Sequence, residues 1–331
     1  MVRALALYSG GLDSMLSIKV ILQQGIEVTA IRFITPFNTK LESFELADTS
    51  LLALGELNFN IKNYPINEKF LEILKKPKFG YGKNMNPCVD CKILMFKEAK
   101  RIMVEDDYDF IITGEVLWQR PMSQRRDILS VIDREASVQG YVVRPLSAKL
   151  LNPSIAEQSG MIDRQKLFDF SGRSRKPQMK LAKELELNNY VQPAGGCLLT
   201  DPLYSAKLKD LFLHTPNPST IDIDLLRIGR HFRASNNLKI IVGRDKRDND
   251  FIQSIAQPSD CILWVEGIGS SLTIIKGDPT ETAIKIAASL CARHSDAKKK
   301  PEVEVSYKLS GNISTVKVFP AQDSMLASLR I

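Results

Sequence analysis

The amino-acid sequence predicts an α/β fold: a doubly wound parallel sheet followed by a second, smaller α+β domain. Three observations carry that expectation. Apolar runs of strand length alternate with helical segments through the first two-thirds of the 331-residue chain. A glycine-rich turn joins the first apolar run to the first helix. Past a segment rich in turn formers, residues 214–220, the pattern changes to several strands around one clear helix.

Residues 4–8 form a short apolar run, as expected of a strand buried on both faces. Residues 13–24 carry Met15, Leu16, Ile18, Val20 and Ile21 and stop at Gly25, which predicts a helix. A second strand is expected at 28–34, a helix at 41–57, a third strand at 59–64 and a short helix at 68–74. Residues 93–104 read as an amphipathic helix, 110–113 as a fourth strand ending at Gly114, and 141–144 as a fifth. The stretch 149–192 is expected to be helical and basic, with Pro177 in the first turn of a helix running to Leu187. Beyond it, strands are expected at 239–242, 262–265, 302–307 and 315–319, and a helix at 280–293. Ligands of doubly wound sheets bind at the carboxyl ends of the strands, so the loops there are the first place to look for chemistry.

Hydrophobic residues make up 44% of the chain and charged residues 25%, ordinary for a globular protein, and no apolar run reaches membrane-spanning length. The formal net charge of +7 suits a polyanion such as RNA, but many enzymes of small molecules are equally basic. Five cysteines, odd in number and sparsely spaced, argue against a secreted disulfide scaffold. Met1-Val2-Arg3 leads directly into a strand without a signal-peptide pattern. The expected location is cytoplasmic, away from membranes, with thiols available for metal or redox chemistry.

The turn Ser9-Gly10-Gly11-Leu12-Asp13-Ser14 stands where the first strand becomes the first helix. Two glycines let the backbone bend and bring its N–H groups close to a phosphate. The helix N-terminus adds further donors and a positive dipole end. Ser9 and Ser14 can donate to phosphate oxygens, whereas Asp13 would repel them and is better suited to a bridging Mg²⁺. A Walker pattern is absent. At these residues the chain resembles the PP-loop ATP pyrophosphatase superfamily. That resemblance implies ATP as cosubstrate, cleavage between its α- and β-phosphates, and transfer of AMP to a carbonyl oxygen. It also implies that Phe33, Thr113 and Gly114 border the adenosine. Core packing is the alternative for Phe33, and a simple turn the alternative for Gly114.

Asn86-Pro87-Cys88-Val89-Asp90-Cys91 leads into a helix, and Cys197 follows Gly195-Gly196 far downstream. Two thiolates two residues apart can ligate one metal ion, and a third can arrive from a distant loop. A fourth ligand is not evident, which suits a 4Fe-4S cluster with one open iron. The Asn-Pro-Cys-x-x-Cys run resembles the tRNA 2-thiouridine synthetases. The resemblance implies that sulfur replaces the adenylated oxygen of a tRNA base. It assigns Cys88 and Cys197 as the reactive pair, with Cys91 completing the metal ligands. Either the cluster delivers sulfur, or Cys197 carries a persulfide that Cys88 resolves; the cluster is the favoured form. A purely structural Cys88–Cys91 pair is the alternative. Lys92 stands where those enzymes carry Asn, and their Asp-Gln-Ser-Tyr segment is replaced here by residues 118–127. Arg120, Arg125 and Arg126 in that segment are candidates for RNA phosphate contacts.

The resemblance runs to about residue 205, so the domains are drawn as 1–205 and 206–331. In the second, residues 225–233 and 240–244 resemble the RNA-binding domain of NFACT proteins. Arg227, Arg230, Arg233 and Arg244 would supply phosphate contacts and Phe232 a stacking face. The expected function is ATP-dependent tRNA thiolation, with sulfur arriving from a donor protein or sulfide and a second copy of the chain as a candidate homodimer partner. The alternatives are a PP-loop enzyme activating a small carboxylate or amide, and a non-catalytic RNA-binding protein.

Overall fold

A computed structural model describes residues 1–37, 49–54, 57–187 and 197–331. The chain divides into two compact units, Met1–Thr200 and Asp201–Ile331.

The first unit is built on a six-stranded sheet. Its strands are β1 (Arg3–Leu7), β2 (Glu27–Ile34), β3 (Thr49–Leu54), β4 (Leu57–Pro65), β5 (Phe110–Thr113) and β6 (Val142–Val143), in the spatial order β3-β4-β2-β1-β5-β6. All neighbours are parallel except β3, which runs antiparallel to β4 at the edge. The parallel strands grow outward from β1 in both directions, through β2 to β4 and through β5 to β6. The topological switch point therefore falls between β1 and β5, where doubly wound sheets form their ligand crevice.

Alternation along β1 shows why the sheet needs cover on both faces. Ala4 and Ala6 join one core with Leu16, Ile18 and Ile21 of α1 (Leu12–Leu22) and Leu181 of α6 (Lys176–Glu184). Leu5 joins the opposite core with Ile93 and Phe96 of α3 (Cys88–Glu105) and Ile132 of α4 (Arg126–Glu135). The small α2 (Asn67–Lys75) and α5 (Ile155–Gln158) complete the unit.

Two expectations are corrected here. Of the helix expected over 41–57, residues 41–48 and 55–56 lie outside the described residues, and 49–54 form strand β3. The expected helix over 149–192 is mostly turns and single helical turns, with α6 its one substantial helix among the described residues. α4 carried too few expected markers to be foreseen.

The second unit is a six-stranded antiparallel sheet in the order β12-β11-β9-β10-β8-β7. Its strands are β7 (Arg230–Ser235), β8 (Leu238–Val242), β9 (Cys261–Trp264), β10 (Thr273–Gly277), β11 (Val303–Leu309) and β12 (Asn312–Val318). Helix α10 (Glu281–Arg293) buries Ala283, Ala287 and Leu290 among Ile240, Leu263 and Val305 of the sheet. Helices α7 (Pro202–His214), α8 (Thr220–Leu225), α9 (Lys246–Ile255) and α11 (Asp323–Leu329) complete it. Among the described residues no helix is long and apolar enough to cross a membrane.

Candidate active site

The glycine-rich corner lies at the carboxyl end of β1. Gly10 has a φ of +76°, in the left-handed region that side chains disfavour. Gly11 is the N-cap of α1 and contributes no side-chain cap. The first turn closes on the Gly11 carbonyl, to which the Ser14 and Met15 N–H groups donate at 3.1 and 3.2 Å, and the helix presents its positive dipole end to an anion. Ser14 Oγ donates to the Gly11 carbonyl at 2.7 Å, and Ser9 Oγ to Ser14 Oγ at 3.3 Å, which gathers both hydroxyls on the turn. Leu12 and Thr113 are buried beneath it. Across the switch point, a Cβ on Gly114 would stand 2.6 Å from both the Asp13 carbonyl carbon and the Ser14 nitrogen. Only glycine lets the two loops meet that closely. Phe33 is buried at the end of β2 with its ring edge-on to Tyr64 at 5.7 Å, so it packs within the core.

One carboxylate oxygen of Asp13 accepts from Gln119 Nε2 at 2.7 Å and from the Arg175 guanidinium at 2.9 Å. Gln119 is itself held by the buried Gln178, whose Nε2 donates to it at 2.9 Å. The other Asp13 oxygen is buried without a hydrogen-bond partner. An unpartnered carboxylate oxygen beside a helix N-terminus suits Mg²⁺, which takes oxygen ligands. Sequence reasoning missed Gln119 and Arg175. Glutamine carries no charge signal, and Arg175 lies in a basic stretch whose composition does not single it out.

Cys88 opens α3, and Cys91 follows one turn later. Cys197 precedes the 3-10 turn Leu198–Thr200, which is tied to the segment ahead of Cys88. The Met85 N–H donates to the Leu199 carbonyl at 3.2 Å, and Asn84 Nδ2 to the Thr200 carbonyl at 2.7 Å. Segments far apart in sequence are thereby neighbours. Burial pushes the Cys91 thiol up to about 12; Lys92 opposes this, while Cys197 and Cys88 add to it. Burial also raises the Cys88 thiol, and Arg120 and Lys92 pull it back. Cys88 Sγ donates to Asn86 Oδ1 at 3.1 Å. Gly195 and Gly196 lie outside the described residues.

Three thiols are the right donor type for a 4Fe-4S cluster. Among the described residues, however, no three Cys, His, Asp or Glu side chains gather closely enough to hold a metal ion. As placed, the cysteines do not fit a cluster as a closed ligand set. Cys261 and Cys291 are buried in the second unit's core.

Lys92 has a partner of its own. It lies 3.3 Å from the buried Glu115, which Arg144 also reaches at 3.1 Å, and Arg144 forks onto Asp133 at 2.7 and 2.9 Å. Burial alone would raise the Glu115 carboxyl, but Lys92 and Arg144 outweigh it and hold it low. The network ties α3 and α4 to the segment after β5. The consecutive residues Gln119 and Arg120 link the two halves of the site. Gln119 bonds Asp13, and the Arg120 charge pulls the Cys88 thiol down. Arg120, Arg125 and Arg126 are exposed. Arg125 pairs with Asp127 at 2.8 Å, and Arg126 donates to the Leu150 carbonyl at 2.7 Å.

In the second unit the arginines divide by partner. Arg233 forks onto Asp210 at 2.7 and 2.9 Å and is 17% exposed. Arg227 is 13% exposed and lies 3.9 Å from Asp224. Arg244 forks onto Asp248 yet stays 46% exposed, and Arg230 donates to the Gly243 carbonyl at 3.4 Å. Phe232 is fully buried in the core, so its expected role as a stacking face is corrected: β7 turns it inward.

Residues 2–152 match the family model of the thiamine biosynthesis protein (ThiI), and residues 229–329 match that of the NFACT protein RNA binding domain. A probable tRNA sulfurtransferase of Lysinibacillus sphaericus is 29% identical over 160 residues, 48% of this chain and 38% of its own length. A tRNA sulfurtransferase of Desulfurococcus amylolyticus is 28% identical over 173 residues, 52% of this chain and 34% of its own. The chain thus spans little more than a third of these relatives. A 4-thiouridine synthetase solved with RNA and ATP aligns at 20% identity and a TM-score of 0.32, over 56% of this chain and 52% of that one.

Proposed function

We propose that this chain, a ThiI-type domain joined to an NFACT-type RNA-binding domain, is an ATP-dependent tRNA sulfurtransferase. One observation carries the reading. Two consecutive residues of one loop serve both halves of the site: Gln119 hydrogen-bonds Asp13 at the glycine-rich corner, and the Arg120 charge pulls the Cys88 thiol down against its burial. Helix α3 runs back into the parallel strand β5, so its first turn, with Cys88, lies at the same carboxyl edge of the sheet as the corner. A PP-loop enzyme that aminates a small carboxylate would have no use for these thiols.

The chemistry has two stages. The base carbonyl oxygen attacks the α-phosphorus of ATP and pyrophosphate leaves, converting a poor leaving group into AMP. The corner's backbone donors and Ser9 and Ser14 receive the phosphates. Asp13 would hold Mg²⁺, which would supply positive charge to the pyrophosphate leaving group. Sulfur then enters through the cysteines. A Cys197 persulfide, loaded by a donor protein or by sulfide with an oxidant, attacks the activated carbon through its terminal sulfur and AMP leaves. The Cys88 thiolate attacks Cys197 Sγ, the thiolated base departs, and the Cys88–Cys197 disulfide is reduced by an external thiol. No step here depends on a cluster, which the cysteines as placed do not fit.

Asp13→Ala is expected to abolish tRNA-dependent pyrophosphate release from ATP with unchanged circular dichroism; undiminished release would remove Asp13 from the mechanism. Cys88→Ala and Cys197→Ala should still release pyrophosphate but form no thionucleoside. Anaerobic purification separates the sulfur routes. Iron-free active protein supports the persulfide, and brown protein that loses iron in Cys91→Ala supports the cluster.

A further inference from the structure

Trp118 is the outlier of the loop that joins the two halves of the site. Its φ is +64°, a left-handed value that is strained for a bulky residue. Its indole is nevertheless 50% exposed, so burial does not compensate the strain. Anchors on both sides impose it. The Leu117 N–H donates to Ser147 Oγ at 3.0 Å, the Trp118 N–H to the Gln124 carbonyl at 2.7 Å, and the Gln119 side chain to Asp13.

The surroundings are apolar and basic together. Met122 is 48% exposed and Tyr81 42%. A Cβ on Gly82 would touch Met122 Cε at 3.1 Å, so the two loops abut. The Gly82 N–H donates to the Asn86 carbonyl at 2.8 Å, and Asn86 accepts from Cys88. The Arg125 guanidinium lies 6.0 Å from the Trp118 ring, and Arg120 is exposed beside it in sequence. Exposed aromatic surface flanked by arginines is what a single unstacked nucleobase and its flanking phosphates require.

We propose that this loop seats one unstacked nucleobase of the RNA, with Trp118 as its stacking platform and Arg120 and Arg125 on the flanking phosphates. The proposal rests on the thiolation reading and names the residue that presents the target base between Asp13 and Cys88. It also explains the strain: the backbone is held so that the indole faces outward, where only a ligand can cover it.

The test uses the full chain carrying Trp264→Phe, which leaves Trp118 as the sole tryptophan. Unmodified tRNA transcript is titrated in with Mg²⁺ and a non-hydrolysable ATP analogue. Indole emission is followed while filter binding measures occupancy. Quenching that tracks occupancy is expected. Trp118→Gly, which accepts the left-handed backbone and so keeps the fold, should weaken tRNA binding or thiolation roughly tenfold with nucleotide binding unchanged. Trp118→Phe should recover most of the loss. Bound tRNA without quenching, or full thiolation by Trp118→Gly, overturns the seat and leaves the thiolation reading standing. Failure of the chain to bind tRNA or release pyrophosphate overturns both.

Discussion

Gly114 and the cysteines show how much chemistry rests on single atoms. Adding one methyl at Gly114 drives a carbon to 2.6 Å from the backbone of Asp13 and Ser14, and backbone cannot rotate away as a side chain can. Gly114→Ala is expected to lower stability by about 1–3 kcal/mol through overpacking and to weaken ATP binding more than tenfold. Calorimetry reads the second effect, and unaltered ATP affinity would show that the two loops need not touch. Cys88 makes a pH prediction. Burial raises its thiol and Arg120 counters that, so the reactive thiolate grows with pH beyond the range of an ordinary cysteine. Iodoacetamide labelling of the Cys88 peptide should keep rising past pH 9, and Arg120→Ala should slow it at pH 8; equal rates would separate Arg120 from the thiol. The sequence made the nucleotide corner legible because glycine, serine and aspartate at one strand–helix junction serve few other ends. It could not reveal Gln119 or Arg175, because their roles arise from a meeting across 106 and 162 residues of chain.

Among the elements, those with a single dominant period were readable. β1, α1, β5 and α10 occupy nearly their expected residues because each buries a face that its spacing announces. β3 was misread because its leucine-rich run suits either period, and an edge strand earns its conformation from pairing with β4. β7 illustrates a face error of the same origin: Phe232 and Arg233 alternate across the sheet, so the aromatic faces the core and the arginine turns to Asp210. That strand also carries His231, buried and held by the Leu225 and Ile228 carbonyls. Burial pushes its imidazole well below the usual range, and burial likewise carries His294, at the end of α10, down to about 4. The unfolded chain binds protons at both sites below pH 6.5 while the folded unit resists them. The stabilisation is full above pH 6.5 and is lost as pH falls toward about 4. Hydrogen exchange of β7 and α10 peptides should accelerate between pH 7 and 5 after correction for intrinsic rates. Unchanged protection would mean that both rings titrate normally.

At the scale of the molecule, two units of different architecture share one chain, a doubly wound sheet and an antiparallel one. The switch point between β1 and β5 explains why the corner, the Gly114 turn and the loop to Cys88 converge: the topology leaves a crevice there, and the loops after both strands open into it. The second unit's exposed Arg244 and half-buried Arg230 offer positive charge that a small-molecule enzyme would not require. The proposed reaction in this crevice is thiolation of tRNA at the expense of ATP. Its most direct test is mass spectrometry of tRNA nucleosides from cells lacking the protein. The account predicts that one thionucleoside disappears, returns with the wild-type chain, and stays absent with Asp13→Ala or Cys88→Ala. A thionucleoside profile identical with and without the protein would contradict it.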